Sequence, residues 1–465
     1  MAVGSTYTLS EVLAVATLHP FYSNAQYPPD EETINAARSR AVNLCTKASL
    51  RNWPLLRKES LYAAITGLIG DTSSLNTYRD NAYMSITGGG GMYSKPLYFC
   101  TDAFENRRQR ASFGRFMEIT GVIKRGDLVL STHWGGEFYR SLDLTLEIME
   151  NAGASVLAAG KDMGLHRVIR SLQDFQVNVL TGDGSQVVQI AHYVSTLDPT
   201  ERGKIKLAKI IYTSEALTEL QKEYIHSVFG PSIKIYSVLG SAEAGPYGVS
   251  NPDLSSNTSS SSTDFLIDTR TMVTEVFPLS LISCETDGDV LPQGNTGLIV
   301  QTSLNRLRNP VVRYLTGDIG SIHPLPEQAR AIVPDADLPF LQILRLQGRD
   351  PRFSFTWNGE YIEFANLKAL MNEPEFGILQ WQVILDQMED SKEISLEVRL
   401  LCSSRGDAAC EAALSARLRE LLVVCSTVEH RFRITFVHDM TGFERSETGQ
   451  KVIKFIDRSA QGICP

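Results

Sequence analysis

Four consecutive glycines, Gly88, Gly89, Gly90 and Gly91, follow Thr87 in the stretch Ser85-Ile86-Thr87-Gly88-Gly89-Gly90-Gly91-Met92-Tyr93-Ser94-Lys95-Pro96. Glycine brings no side chain to a core and costs backbone entropy, so such a run has little packing value. It offers a bare backbone whose N–H groups can close around an anion such as a phosphate. Three further motifs follow in order. They are Gly240-Ser241-Ala242-Glu243-Ala244-Gly245, Arg313-Tyr314-Leu315-Thr316-Gly317-Asp318 and Thr448-Gly449-Gln450-Lys451. The glycine run is therefore not isolated: a glutamate between glycines, an aspartate box and a late lysine follow it in fixed order.

The elements that must position these residues are legible in the hydrophobic pattern. Short apolar runs at Leu128–Ser131, Ser155–Ala158, Val177–Leu180, Ala208–Tyr212 and Ile233–Tyr236 read as buried strands. Helical stretches separate them at Tyr139–Asn151, His166–Asp174, Ser185–Ser195 and Leu217–Phe229. Continuously apolar strands between helices indicate a parallel sheet covered on both faces, with ligands at the carboxyl ends of the strands. The residues there are His133-Trp134-Gly135-Gly136, Thr181-Gly182-Asp183-Gly184 and Thr213-Ser214-Glu215. The serine-rich stretch Asn251–Asp264 reads as an exposed, mobile loop outside the core. Alternation from Phe265 to Thr302 then suggests an antiparallel region.

After Gly348 the pattern changes to strand Phe353–Trp357, helix Phe364–Met371, strands Gln380–Leu385 and Ile394–Leu401, helix Ala408–Leu422 and strand Arg431–Val437. That order, βαββαβ, describes a small α+β domain. The fold expected is α/β: a large doubly wound domain with an added antiparallel region at residues 1–348, and a small domain at 349–465.

The chain has 465 residues, 43% of them hydrophobic, enough for a sizeable core. Its formal charge of −9 argues against a nucleic-acid surface, which needs a basic face. No apolar run reaches the roughly 18 residues of a membrane span, and the first residues lack the order of a secretory signal. The seven cysteines form no C-x-x-C pair, and an odd number cannot all be bridged. These features fit a cytoplasmic setting.

Together the motifs resemble the adenylate-forming superfamily, most closely its phenylacetate–CoA ligase branch. His19-Pro20-Phe21-Tyr22 and Trp53-Pro54-Leu55-Leu56-Arg57-Lys58-Glu59 are similar to that branch's N-terminal segment, and Gly449–Asp457 is similar to its closing motif. The resemblance implies an enzyme that uses ATP and Mg²⁺ to turn a carboxylic acid into an acyl-adenylate. It places phosphates at Thr87–Pro96 and Mg²⁺ at Glu243. It lays adenine against Ser214-Glu215-Ala216 and the Gly240-Ser241-Ala242 turn, and gives the ribose hydroxyls to Asp318. Arg349 would contact the nucleotide from the domain junction, and Lys451 would bridge the α-phosphate and the acid, with Lys454 as the competing lysine. Leu239 stands where an aromatic is usual, and Tyr236 is the candidate to supply an adenine-facing ring instead. His133, Trp134 and Gly135 fall where the family lines its acyl pocket, with buried packing as the alternative for the first two.

One departure concerns the hinge on which such enzymes rotate the small domain. Asp350-Pro351 stands there, and proline fixes φ near −65° and restricts its predecessor. The expected acceptor is coenzyme A; Pro351 and the altered glycine loop favour the alternative of an amine or alcohol acceptor. A catalytically silent nucleotide-binding relative is the third reading. The resemblance also suggests a homodimer and an aromatic or hydrophobic acid.

Overall fold

The computed structural model describes residues 6–43, 48–51, 53–86, 98–136, 138–213, 217, 219–255, 262–279, 289–349, 354–388, 393–402, 408–438, 440–444 and 452–459. The described residues divide into two compact units at the Gly348–Arg349 bond. Among them no helix is long and apolar enough to cross a membrane.

The first unit is built on an 11-stranded sheet. One half is parallel, with strands Ser155–Ala158, Leu128–Ser131, Val179–Asp183, Lys209–Thr213 and Lys234–Ser241 side by side in that order. Successive residues of these strands enter opposite cores, as a period of two requires. Val129, Val179, Ile211 and Tyr236 pack with Phe113 and Met117 of helix Ala103–Ile119 and with Ile148 and Met149 of helix Ser141–Asn151. Leu130, Leu180, Ile210 and Tyr212 pack on the other face with Val168, Leu172, Val187, Ala191 and Ile225. Each fully buried Leu or Met here contributes about 1.5–3 kcal/mol, and helices on both faces make the half-sheet doubly wound.

The other half is antiparallel: Gly245–Val249, Thr263–Asp268, Leu341–Arg349, Tyr314–His323, Gly297–Ser303 and Met272–Phe277. The expectation that Asn251–Asp264 lies outside the core needs correction at both ends. Asn251 is buried, its side-chain amide donating to the Thr120 carbonyl at 2.8 Å, and Leu254 joins the core. Asp264 is buried in a bidentate pair with Arg345, at 2.7 and 3.0 Å. Residues 256–261, which hold most of the serine run, lie outside the described residues.

A two-stranded hairpin, Ala82–Ile86 with Tyr98–Asp102, pairs Ile86 with Tyr98. Its connection is therefore the glycine stretch itself. The hairpin's second strand runs into helix Ala103–Ile119, where Asp102 caps the first turn. One turn on, Glu105 accepts from the backbone N–H groups of Leu307 and Arg308 at 3.0 and 3.3 Å. Asn309 donates to the Cys100 carbonyl and receives the buried His19 ring on its other side. The segment preceding the Arg313–Asp318 motif is thereby tied to the hairpin that carries the glycines.

The second unit has a four-stranded sheet ordered Phe432–Phe436, Ile394–Cys402, Ile378–Gln387 and Phe455–Asp457. It is α+β as expected. Its first strand, Ser354–Trp357, pairs instead with Glu360–Glu363 in a separate hairpin, and Phe455–Asp457 completes the sheet. The Trp357 ring anchors that hairpin over the sheet, its indole N–H donating to the Ile394 carbonyl.

Burial, reinforced by the Asp102 charge, pushes the Glu105 carboxyl up to about 7. A folded value above the ordinary 4.5 means that folding favours the protonated form. The stability this contributes is complete below the unfolded value and is lost as pH rises through about 7. Glu105→Gln keeps an acceptor for Leu307 and Arg308 and cannot ionise. Its Tm is expected to fall less than the parent's between about pH 5 and pH 8; equal slopes in thermal melts would refute this.

Candidate active site

Glu243 sits in the turn between strands Lys234–Ser241 and Gly245–Val249, and the turn is built to close tightly. A Cβ on Gly240 would lie 3.0 Å from the Gly245 carbonyl oxygen, and Gly245 takes φ +73° against the Gln109 side chain. Ser241 Oγ accepts from the Ala244 N–H at 3.0 Å, Gln109 donates to the Ala244 carbonyl at 2.7 Å, and Arg306 reaches the Ala242 carbonyl at 3.5 Å. Arg306 is wholly buried, and that burial brings its pKa down to about 10.

The Glu243 carboxylate is buried, and two tyrosine hydroxyls donate to its Oε1: Tyr62 at 2.8 Å and Tyr314 at 3.1 Å. Burial alone would push its pKa up. The Lys58 charge and these two hydroxyls outweigh it and hold the group below the ordinary carboxylate value. Lys58 and Tyr62 lie one turn apart on helix Lys58–Gly70, with the Lys58 ammonium 5.1 Å from the Tyr62 ring centroid. Backbone bonds deliver that helix to the site. Leu56 N–H donates to the Arg313 carbonyl at 2.9 Å and Leu315 N–H to the Leu56 carbonyl at 3.0 Å. Arg313, at φ +46°, pairs with Glu275 and donates to the Trp53 carbonyl. The Trp53–Glu59 segment is thus stitched to the strand that carries Tyr314.

Asp318 lies on the same strand, in an irregularity of its ladder. Leu298 pairs with Ile319 but Val300 pairs with Leu315, so Thr316, Gly317 and Asp318 together face one residue. Gly317 takes φ +79° and Thr316 Oγ1 accepts from the Asp318 N–H at 3.0 Å while donating to the Ile299 carbonyl. A bulge of this kind re-aims side chains without disturbing the sheet on either side.

At the parallel end, His133 follows strand Leu128–Ser131 and is fully buried. Its Nε2 lies 3.0 Å from Thr181 Oγ1 and its Nδ1 3.5 Å from Asp183 Oδ1. The next residue, Trp134, is half-buried; its ring meets Tyr139 at 6.2 Å and the Lys161 ammonium stands over it. Gly135 packs closely on Leu142, whose side chain would lie 3.1 Å from a Cβ placed there.

Tyr236 is placed differently from the expectation of an adenine-facing ring. It is 2% exposed and packs among Phe113, Met117 and Ile211, with no open face for stacking. Lys454 packs over the Trp381 ring at 4.6 Å and contacts Gln380. Arg349 ends strand Leu341–Arg349 at the border of the two units. Thr87, Gly88–Gly91, Ser214, Glu215, Ala216, Asp350, Pro351 and Lys451 lie outside the described residues. Two described residues, one on either side of 445–451, share one partner. The fully buried Gln382 donates to the carbonyls of Glu444 and Ile453 and accepts from the Glu444 N–H.

No family model matches the chain. It is 24% identical over 319 residues to the indoleacetate–lysine synthetase of Pseudomonas savastanoi, covering 68% of this chain and 69% of that one. Among solved structures it is similar to a 2-hydroxyisobutyryl-CoA ligase in complex with its acyl-AMP and CoA. The TM-score there is 0.65 at 19% identity, over 97% of this chain and 88% of the other. The chain shares the fold of that ligase. The amide bond synthetase McbA from Marinactinospora thermotolerans is a further structural neighbour, with a TM-score of 0.51 at 13% identity over 97% and 83% of the two chains.

Of the residues gathered here, pattern reading did not single out Tyr62; Lys58 entered only within the Trp53–Glu59 segment and Asp183 only among the strand-end residues, neither with a role. The spacing of Lys58 and Tyr62, one helical turn apart, was the available signal. A hydrogen bond to a charged group contributes about 1.5–3 kcal/mol. On the nucleotide role proposed below for Glu243, Tyr62→Phe and Tyr314→Phe are each expected to raise the KM for Mg-ATP by about tenfold, the equivalent of 1.4 kcal/mol. Steady-state kinetics with varied Mg-ATP checks this, and an unchanged KM in both variants would refute the role given to the hydroxyls.

Proposed function

We propose that this protein uses ATP to activate a carboxylic acid as its acyl-adenylate and then hands the acyl group to an acceptor. The observation that carries the reading is Glu243, a buried carboxylate held ionised at the mouth of a glycine-tight turn. It is supported by Asp318 on its bulge one strand segment beyond Tyr314. In the first step an oxygen of the substrate carboxylate attacks the α-phosphorus, and the bond from that phosphorus to the bridging oxygen breaks as pyrophosphate leaves.

Among the described residues no cluster of three or more His, Cys, Asp or Glu could hold a metal. Glu243 would offer a cation a hard carboxylate oxygen, the donor type that suits Mg²⁺, with phosphate and water able to complete the shell. Bound there, Mg²⁺ would neutralise charge on the departing pyrophosphate. Glu243 presents the hard oxygen, and its tyrosine partners keep it aimed. Asp318 accepts from the ribose hydroxyls, as an ionised carboxylate can from two donors at once. The backbone of Thr87–Gly91 cradles phosphate, Ser214–Ala216 and Gly240–Ala242 lie against the base, and Arg349 contacts the nucleotide. Lys451 offsets charge at the α-phosphate. His133, Trp134 and Gly135 border the acid, and an aromatic acid suits the Trp134 ring.

The decisive measurement is pyrophosphate release against a panel of aryl and alkyl acids, with Mg-ATP and no acceptor. Acid-dependent release is expected, falling at least about 10²-fold in Glu243→Gln and Lys451→Ala, the magnitude of a lost electrostatic stabiliser. Silence across the panel despite ATP binding would move the weight to a nucleotide-binding protein without catalysis.

For the acceptor we favour an amine, because the curated relative that aligns over two thirds of the chain is by name an acid–lysine synthetase. Coenzyme A is the competing reading, supported by the resemblance to the phenylacetate–CoA ligase branch. Pro351 at the hinge position also favours the amine, since a restricted φ opposes the rotation that precedes thioester formation. Pro351→Asp is expected to leave pyrophosphate release intact and to raise any CoA-dependent product. An unchanged acceptor preference would remove Pro351 from the account.

A further inference from the structure

The ends of three neighbouring parallel strands bring together His133, Thr181, Asp183 and Thr213. Ser131 pairs with Thr181, and Asp183 pairs with Thr213, so the residues just beyond Ser131 lie beside Gly182 and Asp183. The approach is close: a Cβ on Gly182 would fall 2.4 Å from Thr132 Oγ1. His133 is wholly buried, its Nε2 engaged with Thr181 Oγ1 at 3.0 Å. Its Nδ1 has no hydrogen-bond partner and points at Asp183 Oδ1 across 3.5 Å. Thr213 Oγ1 donates to that same Oδ1 at 3.3 Å, and the Asp183 side chain is 24% exposed. A carboxylate thus stands at the carboxyl edge of the sheet, with a buried imidazole behind it and an accessible side in front.

Asp183 lies between two strand ends with different duties in the proposed reaction. The strand on one side leads to His133–Trp134, beside the acid; the strand on the other leads through Thr213 into Ser214–Ala216, beside the base. A fixed negative charge at that point is unfavourable for a carboxylate substrate and for triphosphate, so adenylation gives no reason for it. It favours a cation arriving at the acyl–phosphate bond. We infer that Asp183 is the acceptor-recognising carboxylate, and that the acceptor is a primary amine carried in as its ammonium ion. This rests on the amine reading above and deepens it.

In the step that follows, the ammonium gives one proton to the Asp183–His133 pair and so exposes the nitrogen lone pair. The C–N bond forms at the acyl carbon, and the bond from that carbon to the phosphate oxygen breaks with its electron pair leaving on AMP. The nitrogen's remaining excess proton passes to water. Asp183 touches the acceptor; His133 is a positioning residue, buried too deeply to meet it.

Asp183→Asn tests this. Asn is as good an N-cap as Asp, so helix Gly184–Ser195, which starts after Asp183, keeps its cap. Indoleacetate, Mg-ATP and L-lysine are the probes, with hydroxylamine as a neutral nucleophile. The variant is expected to retain acid-dependent pyrophosphate release and hydroxamate formation. Its KM for lysine should rise at least tenfold and its lysine-dependent kcat should fall about 10²-fold, as loss of an acid–base group does. An unchanged lysine KM overturns the inference, and so does equal loss of pyrophosphate release and amide formation, which would make Asp183 part of the scaffold or of adenylation. Wild-type pyrophosphate release without any lysine-dependent product sinks this inference alone. No wild-type release with any acid sinks the functional reading beneath it.

Discussion

A carboxylate kept ionised inside the protein is the constraint around which the large unit is arranged. Glu243 is 6% exposed, and an uncompensated charge at that depth costs several kcal/mol. Compensation comes from three directions: a hydroxyl 181 residues away in sequence, another 71 residues away, and the charge of Lys58. Each supplier must itself be held. The Leu56–Arg313 and Leu315–Leu56 backbone bonds hold the helix that carries Lys58 and Tyr62, and the Arg313 pair with Glu275 secures the junction. Asn309, Glu105 and His19 then tie the approach to Tyr314 back to the glycine hairpin. The N-terminal segment is therefore part of the site's electrostatics.

Much of the architecture was legible in the chain itself. The five parallel strands and the helices between them were readable because both faces of that half-sheet are buried, which leaves continuous apolar runs that admit few other interpretations. The failures have physical causes. Asn251–Asp264 looked like loop because composition reports a polar residue without its partner; Asp264 is buried only because Arg345, 81 residues on, meets it. Tyr236 was offered to the nucleotide from its place near the Glu243 turn. Strand alternation sends its ring into the core under helix Ala103–Ile119, four residues before the backbone reaches the turn glycine.

The same contrast holds for the site. Glu243 and Asp318 announce themselves through glycines at fixed offsets, and those glycines have work to do at φ +73° and +79°. Tyr62 carries no such local mark, and Asp183 is marked only by its place at a strand end. Their roles come from partners brought across the fold by strand register and by one helix, which a linear pattern does not encode. Asp183 in particular is one of several residues expected at the strand ends, and its approach to His133 is known only once the strand neighbours are.

The bulge at Thr316–Asp318 has a consequence for how this chain can vary. Pairing resumes with Leu298 opposite Ile319 on one side and Val300 opposite Leu315 on the other, so the three residues between are counted out by a ladder that is fixed at both ends. Substitution within the bulge alters one side chain. Insertion or deletion of a single residue would instead change how many residues stand opposite Ile299, and with it the direction in which Asp318 is presented. Length, more than identity, is the inherited quantity in this segment: lineages descended from this chain are free to drift around the aspartate and are held to the spacing that presents it.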